Sequence, residues 1–155
     1  MKLGLLTAAF PDTPLTEVAD WAAANGFEAL EVACWPRGEG AARRYAGVSH
    51  IDVAGLSDAQ AKELVEDLAG RGVTISGLGF YPNPLHPDPS VRDEALAHLR
   101  VLIAGAAKMG VPVVNTFVGN DKDRPYPENL ERFKRVWPPL VAHAAERGVR
   151  IAIEN

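Results

Sequence analysis

Apolar residues recur along the chain with two different spacings. In four segments they fall mainly at positions i, i+3, i+4 and i+7, the spacing of one face of an α-helix. These helical segments lie at 15–22, 61–68, 95–106 and 130–144. Short runs rich in apolar and β-branched residues lie between them, at 2–6, 25–32, 71–79, 109–117 and 147–155. The pattern predicts five strands that alternate with four helices.

Local signals mark where the helices begin. Thr13-Pro14 and Asp88-Pro89 each place an N-cap residue before a proline at the first helical position. Ser57, with a glutamine three residues later, is typical of a capping box. Pro138-Pro139 lies inside the fourth helical segment, where missing N–H groups predict a kink or a restart.

Four glycines repeat at the junction between a helix and the next strand. They are Gly26, Gly72, Gly110 and Gly148, and the last three recur at intervals of 38 residues. A glycine at this position is typical of a helix end, where the backbone adopts a positive φ that other residues resist. The repeat predicts that each strand is preceded by a helix that ends in the same way.

Two parallel architectures fit this order of elements. Strands without polar alternation, each followed by a helix, predict a parallel sheet. Eight repeats of this length give about 300 residues, within the usual range of a (β/α)8 barrel. A doubly wound sheet normally has a glycine-rich turn after its first strand, and "LLTAAFPDTP" has none. We therefore predict an α/β fold, a partial TIM barrel with sequential strand order and helices on one side only.

Composition limits the class of protein. A chain of 155 residues with 47% hydrophobic residues is expected to form one domain, 1–155. Its net charge of −4 argues against nucleic acid as a partner. No apolar run approaches the roughly 18–20 residues that span a bilayer, so no membrane partner is expected. The lone Cys34 excludes an intramolecular disulfide and suits a reducing compartment. We expect a soluble, cytoplasmic protein.

Candidate site residues follow the strands, because barrel active sites form at the carboxyl ends of strands. The candidate substrate-binding residues are Glu31, Trp35, Asn83, His86 and Asn115, and the candidate catalytic residue is Glu154. Glu31 is expected to face the pocket, because its neighbours Leu30 and Val32 are expected to point toward the helices. Alternatives stay open: the two asparagines could orient backbone instead, and His86 could be an exposed loop residue. The segment 38–47 is predicted to be a loop, and a phosphate contact from Arg43 or Arg44 is the less favoured interpretation.

Three motifs resemble a known family. They are "FYPNPLHPD" (80–88), "VNTFVGND" (114–121) and "IAIEN" (151–155), and together they resemble the sugar phosphate isomerase/epimerase family of xylose-isomerase-like TIM barrels. The resemblance implies that Glu154 is a ligand of a divalent metal ion (Mn, Mg, Co or Zn). It also implies a carbohydrate substrate and proton transfer next to a carbonyl, through an enediolate. The remaining ligands, an Asp, a His and a second Glu, come from strands six to eight in that family. The metal site is thus expected to be incomplete in this chain, which would be the inactive N-terminal part of such an enzyme.

Two other functions stay open. The chain could be a non-catalytic half-barrel that self-associates, because two open sheet edges favour pairing with a second copy. For the same reason a homo-oligomer is expected. An endonuclease-IV-like abasic-site nuclease is less favoured, since "LGFYPN" lacks a histidine and Phe117 stands at the end of the fourth strand.

Overall fold

The computed structural model describes residues 1–36 and 47–154. The predicted loop with Arg43 and Arg44 therefore lies outside the described residues, apart from Gly47, and so does Asn155. The described elements, in chain order, are β1 (Gly4–Leu6), a 3-10 turn (Thr7–Ala9), α1 (Leu15–Ala24), β2 (Ala29–Ala33), α2 (Asp58–Gly70), β3 (Thr74–Gly79), α3 (Pro89–Lys108), β4 (Val113–Phe117), α4 (Tyr126–Ala145) and β5 (Arg150–Glu154).

The five strands form one parallel sheet in the order β1-β2-β3-β4-β5. Each strand pairs with the next along the chain. Sequential order is that of a (β/α)8 barrel, whereas a doubly wound sheet would reverse direction at a switch point. The predicted fold class, a partial TIM barrel, is confirmed.

The sheet has one apolar face and one chemically mixed face. Leu30 and Val32 of β2, Leu78 of β3 and Val114 of β4 are fully buried in a core shared with all four helices. Alternate residues point the other way, as the pleat requires. The helices thus cover a single face, and the opposite face at the carboxyl ends of the strands is left for polar side chains.

Helix starts follow the predicted caps in two cases and differ in one. Ser57 forms its capping box, and Asp88 accepts a hydrogen bond from the N–H of Ser90 at 2.8 Å. The first helix begins at Leu15, and its N-cap is Pro14 rather than the predicted Thr13. The reason is that Pro14 has an extended ψ of 144° while its carbonyl already accepts the first helical hydrogen bond.

The fourth helix runs without a restart through Pro138 and Pro139. These prolines remove the donors that would pair with the carbonyls of Lys134 and Arg135. All four residues lie on the exposed side of the helix, where water can bind the freed carbonyls. The predicted restart is therefore wrong. The buried stripe of this helix includes Trp137 and Leu140, whereas Val141 is 51% exposed.

The repeated glycines confirm the prediction made for them. Gly26, Gly72, Gly110 and Gly148 have φ values of 82°, 90°, 68° and 67°. Each follows the end of a helix, where a side chain would be strained. Within the described part of the chain, no helix is long and apolar enough to cross a membrane.

Thr116 is the described residue whose buried side-chain oxygen has no hydrogen-bond partner. We expect Thr116→Val to raise the free energy of unfolding by about 1 kcal/mol, because it removes an unpaired hydroxyl and keeps the side-chain shape. Urea unfolding measures the change. Thr7→Val is the matched control. It should lower the free energy of unfolding, because the Thr7 hydroxyl accepts a hydrogen bond from Ala33 N at 2.9 Å. A loss of stability in Thr116→Val would contradict the assignment.

Candidate functional site at the carboxyl ends of the strands

Polar side chains from β2, β4 and β5 reach the uncovered face of the sheet. The strand register places Glu31 beside Gly77, Asn115 beside Gly79, and Glu154 beside Phe117. An irregularity in the pairing of β2 with β3, between Leu30 and Glu31, contributes to this register. The three polar residues thus come from separate strands that the sheet holds side by side.

Two glycines of β3 make room for the side chains of its neighbours. A Cβ atom on Gly79 would lie 2.6 Å from Oε1 of Glu31, and one on Gly77 would lie 2.8 Å from Nδ2 of Asn115. Both distances are shorter than real Cβ contacts allow. The carboxyl of Glu31 and the amide of Asn115 therefore lie directly over β3, and side chains on this strand would displace them.

Tyr81 connects the carboxylates of β2 and β5. Its hydroxyl donates a short hydrogen bond to Oε1 of Glu31 and lies 3.2 Å from Oε1 of Glu154. The ring packs against Phe117 with centroids 4.8 Å apart. Because a hydroxyl has one proton, the two carboxylates share a single donor.

Burial shifts the pKa values of Glu31 and Tyr81. Burial raises the pKa of Glu31, and repulsion from Glu154 raises it further, while hydrogen bonds from Tyr81 and Asn115 act in the opposite direction. Burial also raises the pKa of Tyr81, and the adjacent carboxylates add to the effect. Tyr81 consequently stays protonated and remains a donor.

Asn83 and His86 lie in the loop after β3, and both are engaged with backbone. Nδ2 of Asn83 donates to the carbonyl of Asn120 at 2.6 Å, and its Oδ1 accepts from the N–H groups of Asn120 and Leu85. Nδ1 of His86 accepts from the N–H of Asp88 at 3.1 Å. Asn83 thus ties the loop after β3 to the loop after β4, which is the backbone role that the sequence left open.

Two cavities adjoin these groups. The larger one, of about 600 Å³, is lined by residues that include Trp35, Phe80, Tyr81, Asn83, His86 and Phe117. The smaller one, of about 310 Å³, is lined by residues that include Asn83, Phe117, Asn120 and Glu154.

The predicted site residues therefore fall into two sets. Tyr81 contacts Glu31 and Glu154, and Asn115 hydrogen-bonds to Glu31, whereas Trp35, Asn83 and His86 surround the larger cavity. Tyr81 follows β3 in the sequence but was given no role there, and neither was Gly77 or Gly79. Alternating glycines within the strand "TISGLG" were the available signal, because glycine inside a strand indicates the close approach of other groups.

The described residues do not complete a metal site. No group of three or more His, Cys, Asp and Glu side chains lies close enough together to hold a metal ion within 1–36 and 47–154. Metal centres normally take four or more ligands, and Glu154 offers one carboxylate. The donor set of the described chain thus does not fit a complete centre.

We expect Gly79→Ala to displace the Glu31 carboxyl and to lower the free energy of unfolding by about 1 kcal/mol, because its Cβ would occupy the space of Oε1 of Glu31 and press on the Tyr81 ring. Urea unfolding measures the loss. Gly70→Ala is the matched control, since a Cβ there meets no atom within 4 Å and alanine favours the helix. Equal stability of the two variants would show that Glu31 does not lie over β3.

The raised pKa of Glu31 predicts a specific pH dependence. Stability from the protonated carboxyl is fully present below the unfolded pKa, near 4.5, and is lost as pH rises through the higher folded pKa. Glu31→Gln cannot titrate. We expect the free energy of unfolding of the wild type, minus that of Glu31→Gln, to fall as the pH rises above the unfolded pKa near 4.5. Denaturant unfolding across this range measures it, and a difference that rises with pH would contradict the assignment.

Comparison with solved structures identifies the same architecture in larger proteins. D-psicose 3-epimerase with D-tagatose, from Clostridium cellulolyticum H10, aligns with a TM-score of 0.71 and 22% identity over 99% of this chain and 52% of that chain. The probable 3-DHS dehydratase AsbF, involved in petrobactin synthesis in Bacillus anthracis, aligns at 0.71 with 14% identity over 99% and 52%. The IOLI protein with a binding zinc atom aligns at 0.69 with 16% identity over 99% and 51%.

These similarities establish the fold, and the chain spans about half the length of the structures it matches. No curated protein matches the chain in sequence. A family model described as a xylose isomerase-like TIM barrel matches residues 19–155, which is most of the chain. This protein therefore belongs to the xylose isomerase-like TIM barrel family.

Proposed function

We propose that this chain is the N-terminal part, 1–155, of a sugar isomerase or epimerase that moves a proton next to a carbonyl group. The observation that carries the proposal is the placement of Glu154. Its carboxylate stands at the carboxyl end of β5, borders a cavity, and lies 3.2 Å from the Tyr81 hydroxyl that it shares with Glu31. Sugar epimerases among the structural neighbours support the same class of reaction.

The proposed step uses Glu154 as the base. A C–H bond next to the substrate carbonyl breaks, its proton passes to the Glu154 carboxylate, and the electron pair forms an enediolate. Return of the proton to the neighbouring carbon, with the hydroxyl proton passing from one oxygen to the other, isomerises the sugar. Epimerisation would need protonation of the same carbon from the opposite face by a second acid outside the described residues, with Glu154 keeping the proton it removed. Trp35 and His86 would contact the substrate, and Glu31 and Asn115 would bind it from β2 and β4. Asn83 would position the two loops that border it.

A divalent metal ion, Mn, Mg, Co or Zn, is part of the proposal, with Glu154 as one ligand. Such an ion stabilises developing negative charge on substrate oxygens. Glu154 is the one metal ligand proposed among the described residues, so the other ligands would come from outside them, and no step above is assigned to the metal. A zinc atom in the IOLI structure supports this part of the proposal.

The substrate would be a small carbohydrate, and neither nucleic acid nor a membrane is a proposed partner. The cytoplasmic location expected from the single cysteine stays a prediction.

The second candidate function is a self-associating half-barrel without catalysis. It is favoured by apolar side chains on the two edge strands and their flanks, since Leu3, Leu6 and Ile153 are 57%, 38% and 42% exposed. A second copy could cover such edges. The homo-oligomer therefore stays a proposal beside the first.

Translation of the coding sequence beyond Asn155 separates the two candidates. A reading frame that continues through strands ending in Asp, His and Glu supports the enzyme. A reading frame that stops, together with a mass from light scattering of at least two copies, supports self-association.

In a polypeptide that contains 1–155 and those further strands, we expect metal-dependent incorporation of solvent deuterium next to the carbonyl of a ketose such as D-fructose. Glu154→Gln should lower the rate by about 10²–10⁴-fold, because it removes the base. NMR of the recovered sugar measures the exchange. Glu146→Gln, at the end of α4, is the control and should leave the rate unchanged. Undiminished exchange in Glu154→Gln would refute this role, and the 155-residue chain alone should give no exchange.

A further inference from the structure

The larger cavity adjoins the cavity that borders Glu154. The two share Pro82, Asn83 and Phe117 in their lining. A ligand with one part beside Glu154 can therefore extend a second part into the larger cavity. At about 600 Å³, the larger cavity has roughly twice the volume of its neighbour, which is about 310 Å³.

Carbon atoms form most of the wall of the larger cavity. Phe80 and Ala95 are buried behind it, and Trp35 packs edge-on against Phe80 with centroids 4.8 Å apart. Phe117 and Val91 also border it and remain 41% and 45% exposed. Large apolar side chains left exposed around one concavity are typical of a binding site for an apolar group.

Few hydrogen-bond donors of this wall are free for a ligand. Glu94 also lines the cavity, and its carboxylate, which accepts from the Ser90 hydroxyl at 3.4 Å, can only accept hydrogen bonds when ionised. The Asn83 amide bonds to the backbone of Asn120 and Leu85, and the Tyr81 hydroxyl donates to Glu31. His86 is different. Its Nδ1 accepts from the backbone N–H of Asp88, so the ring proton is on Nε2, which can donate to a ligand.

A bare sugar is a poor match for such a wall. It carries a hydroxyl on nearly every carbon, and each buried hydroxyl without a partner costs free energy. An aromatic ring needs no partners, and it packs well against Trp35 and Phe117. One acceptor atom on the linkage to the ring would match the single donor of His86.

We propose that the larger cavity binds an aromatic substituent of the substrate, so that the substrate class is a sugar carrying an aryl group. The sugar portion would lie beside Glu154, and this part of the inference rests on the proposed function. The aryl portion would lie between Trp35, Phe117 and Val91.

Binding of two matched probes to the 155-residue chain tests the inference without any turnover. Isothermal titration calorimetry compares phenyl β-D-glucopyranoside with methyl β-D-glucopyranoside. We expect the phenyl glycoside to bind at least about tenfold more tightly, because it buries a ring. Saturation-transfer NMR should show stronger contacts to the phenyl protons than to the sugar protons. Equal affinities of the two glycosides would overturn the proposal.

A pair of valine substitutions on α3 locates the binding. Val91 lines the cavity, whereas Val101, which is 37% exposed on the same helix, does not. Val91→Trp should fill the cavity and weaken phenyl glycoside binding at least about tenfold, and Val101→Trp should leave it unchanged. Thermal unfolding checks that both variants fold. Phenyl glycoside binding that survives Val91→Trp would place the ring elsewhere and overturn the proposal.

The outcome separates this inference from the proposed function. Aryl-selective binding without deuterium exchange in the longer polypeptide would leave the cavity assignment standing and remove the sugar chemistry. Exchange on bare ketoses, combined with equal binding of the two glycosides, would retain the chemistry and overturn the aryl site.

Discussion

The close approach of two side chains to the backbone of β3 is the contact on which the site depends. Glu31 and Asn115 lie over Gly79 and Gly77, in space that a Cβ atom would occupy. Parallel strands are about 4.8 Å apart. Side chains from β2 and β4 can therefore meet only if the strand between them has no side chain on that face. The two glycines supply that condition, and Tyr81 then reaches both Glu31 and, across β4, Glu154.

The division of the sheet into two faces explains why chemistry collects there. All four helices bury the apolar residues of one face, such as Leu30 and Leu78, in a common core. That core is what stabilises the fold, so the other face is free to carry groups that cost stability. Glu31 is such a group, since its burial disfavours the charged carboxylate. The apolar cavity beside it is a second departure from an ordinary polar surface.

Differences between expectation and structure trace to competing local solutions. Thr13 has the chemistry of an N-cap, yet the extended backbone of Pro14 moves the helix start one residue on. Pro138 and Pro139 lack N–H donors, yet both are exposed, so water can hydrogen-bond to the carbonyls left without a partner. The helix α4 therefore continues. In each case the residue preference was interpreted correctly, and the surroundings of the residue decided the outcome.

The sequence by itself determined the alternation of strands and helices, the glycine-ended repeat, and the strand ends that carry Glu31, Asn115 and Glu154. These follow from periodicity and from the backbone preferences of single residues, which are local properties. Only the tertiary structure decided that Tyr81 contacts two carboxylates and that the Asn83 side chain hydrogen-bonds to the backbone of two loops. It also decided that Trp35, Phe117 and Val91 surround one cavity. Those contacts join residues far apart in the chain, and their geometry depends on strand register and loop path, which no local pattern encodes.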